Sequence, residues 1–102
     1  MPVVIWNSSP DWNAELYEKT VAKAWDGINV NNADELPEGF IAHLSLPRPG
    51  GGWQVFDVWD SQTAYGAFLD TRLMPAVASI DAPPFDTVVL EPHTIITRAG
   101  AA

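Results

Sequence analysis

The sequence predicts an α+β fold, a four-stranded antiparallel sheet with two helices on one face, and three observations carry that reading. First, two short apolar runs rich in Trp, Phe, Val, Leu and Ile, Phe40 to Leu46 and Trp53 to Trp59, flank Pro47, Arg48, Pro49 and the triplet Gly50 to Gly52. Prolines fix φ and glycines supply positive φ, so no helix crosses this segment and a hairpin turn can form there. Second, a stretch on either side of that hairpin repeats its apolar residues at helical spacing. Third, short runs rich in β-branched residues stand near both ends of the chain.

Taken in order, Val3 to Trp6 form the first strand, bounded by Asn7, Ser8, Ser9 and Pro10. Asn13 can cap a helix with Glu15 in its first turn and Leu16 or Tyr17, Val21, Ala24 and Trp25 along one side. Gly27 and the polar segment 29–38 end that helix and lead into the hairpin. Ser61 is a natural N-cap for a second helix bearing Tyr65, Phe68, Leu69, Leu73 and Val77 on its apolar side. Pro75 should kink or restart it near Met74. Asp81 to Pro84 is a loop, and Thr87 to Thr97 is a final strand in which Pro92 implies an edge position or a bulge.

Strand, helix, strand, strand, helix, strand with no internal linker or repeat is the order of a single domain, residues 1–102, with the ferredoxin-like βαββαβ arrangement. If the hairpin turn centres near Gly50, opposed positions sum to about 100, which sets His43 across from Asp57 on one face. The second hairpin strand is largely apolar on both sides, with Trp53, Val55 and Trp59 one way and Phe56 and Val58 the other. Such a strand is expected to be covered twice, once by the chain's own helices and once by a second copy of the sheet in a two-fold homodimer.

Composition excludes several classes of function. A chain of 102 residues that is 47% hydrophobic and 18% charged is a folded globule able to bury a core. It contains no cysteine, which removes disulfides, thiolate catalysis and cysteine zinc sites. Thirteen acids against five bases give a formal charge of −8, which disfavours nucleic acid and anionic membrane as partners and favours solubility. No apolar run approaches the roughly 20 residues of a membrane span, and a cytoplasmic location is the default expectation. Two histidines fifty residues apart, without clustered acids, predict no metal site. Nothing resembles a phosphate loop, a dinucleotide fingerprint or a Ser-His-Asp order.

The runs Gly39-Phe40-Ile41-Ala42-His43, Gly52-Trp53, Val55-Phe56-Asp57-Val58-Trp59-Asp60-Ser61 and Arg72-Leu73-Met74-Pro75-Ala76 carry a family likeness. Together with the first strand and Pro92-His93, they resemble small actinobacterial proteins of the dimeric α+β barrel superfamily, nearest to the antibiotic biosynthesis monooxygenase-like group. The resemblance covers essentially the whole chain. It implies a ferredoxin-like subunit that dimerises through its sheets, without implying one activity, because the barrel hosts cofactor-independent monooxygenases, polyketide cyclases, haem-degrading enzymes and isomerases. Haem-degrading members carry an Asn in the first strand and a Trp and a His on the second helix. Here Asn7 matches, the Trp position falls at Phe68, and residues 74–80 contain no His, so haem degradation is disfavoured.

His43 and Asp57 are the candidate catalytic pair. A carboxylate beside an imidazole fixes its tautomer and raises its basicity, so the pair can remove a proton from a phenolic or enolic substrate. It reads equally as a cross-strand pair serving only the sheet. An acid set between Phe56 and Val58 needs a partner either way. The five tryptophans supply more aromatic surface than a small core requires, and some can wall a cavity for a flat ligand. Trp59, Tyr65 and Phe68 are candidate pocket walls, Arg72 a candidate anion clamp, and Asn7 and His93 further candidates for substrate contact. Asn7 reads also as a turn residue, and His93 as an interface residue. The expected function is cofactor-free monooxygenation or cyclisation of a small aromatic or polyketide-like compound. The alternative is a dimeric ligand-binding or stress-associated protein without turnover.

Overall fold

The computed structural model describes residues 1–98 and the backbone of residues 100 and 101. Strand β1 (Val3–Ser9) leads into helix α1 (Ala14–Ala24). Strands β2 (Phe40–Pro47) and β3 (Trp53–Trp59) form the central hairpin. Helices α2 (Gln62–Phe68) and α3 (Met74–Ser79) precede strand β4 (Asp86–Leu90), and a short pair, β5 (Ile96–Thr97) and β6 (Gly100–Ala101), follows. The main sheet is antiparallel in the order β2-β3-β1-β4, with α1, α2 and α3 layered on one face. This is the ferredoxin-like α+β arrangement.

Local chemistry accounts for the element boundaries. Asn13 takes an extended conformation, and its side chain accepts from the Leu16 N–H, satisfying one of the free donors of α1. Ser61 does the same for Ala64 at the start of α2. The backbone stays right-handed through Leu69–Leu73, but that turn is π-helical, and the Met74 N–H reaches back to the Leu69 carbonyl. Pro75 explains the change, because it has no N–H to give to the carbonyl four residues earlier and its ring crowds that turn. Gly52 adopts φ +96°, and a Cβ there would lie 2.3 Å from the Ser9 carbonyl oxygen. The hairpin turn therefore closes against the end of β1 only with glycine at this position.

Two strands differ most from the sequence expectation. β1 continues through Asn7, Ser8 and Ser9, which pair with Val55, Gln54 and Trp53. Flanking strands on both sides outweigh the weak β preference of Asn and Ser. The last strand of the sheet is Asp86–Leu90 rather than 87–97, and it ends before Pro92, which offers no N–H to a ladder. His93 consequently lies on the exposed segment after β4 and not on the strand.

The β2–β3 register pairs His43 with Asp57, Leu44 with Phe56 and Ser45 with Val55, with an irregularity between Phe40 and Ala42. The hairpin's single bulge thus falls beyond the pair and leaves it opposed. Odd-numbered residues of β1 and β3 face the helices. There Val3, Ile5 and Trp59 join Ala24, Tyr65, Phe68 and Ala76 in one buried cluster, with Ile5 and Trp59 fully buried. The opposite face carries Val4, Trp6, Leu44, Phe56, Val58, Val88 and Leu90. Trp6 stacks on Phe56 at 5.8 Å and 4° between planes, and Leu44 is 57% exposed.

Candidate functional site

Between α1 and the sheet lies a cavity of about 70 Å³, walled by Trp12, Tyr17, Trp25, Trp53, Phe68 and Phe85, with Asn7, His43 and Asp57 in its lining. By the criterion that a water needs roughly 10 to 15 Å³, it holds more than one water. A bicyclic or larger ligand enters only as wall side chains move aside. The wall is apolar, and its titratable groups meet at one point.

That point is a continuous hydrogen-bonded chain. Asp57 is 5% exposed and sits in the middle of β3. Its Oδ1 lies 2.5 Å from His43 Nδ1, and its Oδ2 accepts from Trp59 Nε1 at 3.3 Å. His43 Nε2 in turn lies 2.5 Å from the Tyr17 hydroxyl. A neutral ring satisfies every member: Nδ1–H donates to the carboxylate, and Nε2 accepts from the phenol O–H. Trp59 holds the second carboxylate oxygen, so Asp57 cannot turn away from His43. Tyr17 and His43 are also near-parallel, with ring centres 5.8 Å apart, and Trp25 meets His43 edge-on.

Burial pushes the Tyr17 hydroxyl above its ordinary value of 10.0, an effect that a hydrogen bond from the Ser45 side chain opposes and the Asp57 charge reinforces. Tyr17 is therefore a neutral O–H donor at physiological pH. Tyr65 is raised likewise, first by burial, against a hydrogen bond from Asn7. In both cases the folded state holds the proton more tightly than the unfolded chain. Their contribution to stability is complete below pH 10 and is lost as pH rises through the folded values. Alkaline titration should thus destabilise the protein from about pH 10 upward, and Tyr65→Phe should flatten that decline in thermal scans. An unchanged slope in the variant would contradict the assignment.

A second polar cluster fixes Asn7. Its Nδ2 donates to the Tyr65 hydroxyl at 3.2 Å, and its Oδ1 accepts from Thr87 on β4 at 2.6 Å. Asn7 is therefore a strand residue oriented toward the helices, not a turn residue. The other candidates separate. Phe68 lines the cavity, whereas Trp59 and Tyr65 lie behind it in the core. Arg72 does not reach the cavity: its Nη1 donates to the carbonyl oxygens of Ala24 and Asp26 at 3.1 Å each, closing the C-terminal end of α1. His93 is exposed and outside the lining. Tyr17, the residue that meets His43, reads in the sequence only as an apolar-side helix position. Its four-residue spacing to Val21, which also lines the cavity, was the available signal.

No family model matches the chain, and no curated protein matches it. Solved structures do match. SnoaB, a cofactor-independent oxygenase from Streptomyces nogalater whose structure is that of a point variant, aligns with a TM-score of 0.64 at 13% identity, covering 93% of this chain and 96% of that one. A protein of unknown function from Nitrosomonas europaea aligns at 0.65 and 15% identity, covering 97% and 95%. A Deinococcus radiodurans protein provisionally named an antibiotic biosynthesis monooxygenase aligns at 0.54 and 16%, covering 95% and 97%. The chain shares their fold. At these identities the likeness speaks for the fold alone, and chemistry has to come from the side chains above. Among the described residues, no helix is long and apolar enough to cross a membrane, and no group of three His, Asp or Glu residues could hold a metal ion.

Proposed function

We propose that this protein is a cofactor-independent enzyme acting on a small aromatic or polyketide-like compound, with His43 as the base and Asp57 as its orienting group. The observation that carries this reading is the chain Tyr17–His43–Asp57–Trp59 ending at an aromatic-walled cavity. A cross-strand pair serving only the sheet would need neither the phenol on Nε2 nor a cavity beside it. The fold shared with a cofactor-independent oxygenase adds to the reading.

Both ring nitrogens of His43 are engaged, so the substrate proton passes through Tyr17. The substrate's phenolic or enolic O–H, which for anthrone is that of its enol tautomer, donates to the Tyr17 oxygen as Tyr17 hands its own proton to Nε2, and the resulting imidazolium is stabilised by Asp57. In the monooxygenase form, the carbanion-like substrate gives an electron to oxygen and recombines with it to form a peroxide anion, and the borrowed proton returns to give the hydroperoxide. Loss of water then leaves one oxygen atom in the new carbonyl and the other in water. In the cyclase form, the same carbanion attacks an internal carbonyl. Anthrone in air-saturated buffer tests the first form: catalysed oxygen uptake with anthraquinone as product is expected. Uptake no faster than without protein would remove the monooxygenase form.

The exposed apolar face of the sheet supports a homodimer formed sheet to sheet. Trp6 stacks on Phe56 there, and Leu44, Val88 and Leu90 are exposed, an apolar surface that a facing subunit would cover. Light scattering at micromolar concentration should give twice the 11.1 kDa chain mass, and a monomer mass would contradict the dimer.

A further inference from the structure

The charges around the cavity and a buried, unpaired indole N–H in its wall narrow the ligand further than the fold does. Each of the five cationic side chains is placed elsewhere. Lys19 pairs with Glu15 on the exposed side of α1, and Lys23 is exposed in the last turn of that helix. Arg48 lies in the β2–β3 turn, Arg72 closes α1, and Arg98 is exposed after β5. The formal negative charge in the cavity lining is Asp57, with both carboxylate oxygens already accepting from protein donors. An anionic ligand placed there would lose its water, meet a like charge and find no counter-ion.

The wall also holds an unanswered donor. Trp53 lines the cavity with its ring 5.9 Å from that of Tyr17, and its Nε1–H is buried without a partner. A buried donor left unpaired is costly, and the carbonyl oxygen of a ligand that parts the wall side chains would reach and satisfy it.

We propose that the site selects flat aromatic ligands that are uncharged and carry a carbonyl oxygen received by Trp53 Nε1, and that it rejects free carboxylates. This selectivity rests on the reading of the cavity as the substrate site. It also places the reaction in a sequence: a step that removes or esterifies any carboxyl group of the precursor must come before this protein.

Calorimetric titration of the full-length protein at pH 8 with methyl 1-naphthoate and with 1-naphthoate isolates the charge on one carbon skeleton. The ester should bind at least tenfold more tightly than the acid, which is anionic at that pH. Equal affinity, tighter binding of the acid, or no binding of the ester would each overturn the proposal. Trp53→Phe keeps the ring and removes the donor, and should weaken ester binding threefold or more, whereas unchanged affinity would remove Trp53 from it. The readout is independent of turnover. A protein that prefers the ester but oxidises nothing would remove the monooxygenase form and leave the selectivity standing, whereas turnover with equal binding would keep the enzyme reading and overturn the selectivity.

Discussion

Replacing Trp59 by alanine is expected to cost about 3 to 5 kcal/mol of stability, the range for truncating a buried large aromatic residue. Trp59 is fully buried and meets Phe40, Tyr65 and Phe68 at ring separations of 5.2 to 5.9 Å. Its loss leaves a void at the junction of β3 with α2, and a core of this density relaxes only partly into it. It also deprives Asp57 Oδ2 of its donor, so a buried carboxylate loses a partner at the same time. Against a total stability of roughly 5 to 15 kcal/mol, most of the folded population is at risk. For a domain of this size, the melting temperature should fall by roughly 12 to 40 °C. Denaturant titration checks the figure, and a loss below about 1 kcal/mol would show that Trp59 is not the centre of the core.

The second large effect concerns turnover. His43→Ala removes the proton acceptor and should lower the rate on any accepted substrate by about 10² to 10⁴, the usual contribution of a positioned general base. The His43 side chain is 23% exposed, so its removal opens little of the core. Asp57 loses one donor but keeps Trp59, and circular dichroism should show an intact fold. Tyr17→Phe keeps the ring against Trp53 and His43 while removing the hydroxyl that bridges to Nε2. The rate should fall less than in His43→Ala, and the pH–rate profile should change shape because substrate then meets the imidazole directly. Full activity in His43→Ala would sink the base assignment. An unchanged profile in Tyr17→Phe would confine that residue to packing.

The sequence exposes the hairpin well because its turn chemistry is local. Three glycines and two prolines between apolar runs restrict the backbone whatever the rest of the chain does, and the register that sets His43 opposite Asp57 follows from counting outward from Gly50. Residues whose role depends on how one element lies across another are less legible. Tyr17, Val21 and Ala24 share one side of α1, and which of them meets β2 is decided by the angle of the helix over the sheet, a tertiary quantity. Arg72 looks like a clamp in the sequence because helix periodicity points it inward. The π turn before Pro75 sets it beside the end of α1 instead, where free carbonyls compete for it. The end of β4 is hidden in the sequence for a related reason. Ile95 and Ile96 continue an apolar pattern across Pro92, but the ladder stops where the N–H does.

A crystal structure of the protein with anthrone bound in the absence of oxygen bears most directly on the site. The ring system should lie between α1 and the sheet, with a ligand oxygen within roughly 2.6 to 3.2 Å of the Tyr17 hydroxyl or His43 Nε2. Anthrone seated elsewhere, with the cavity unchanged and the Tyr17–His43 contact undisturbed, would contradict it.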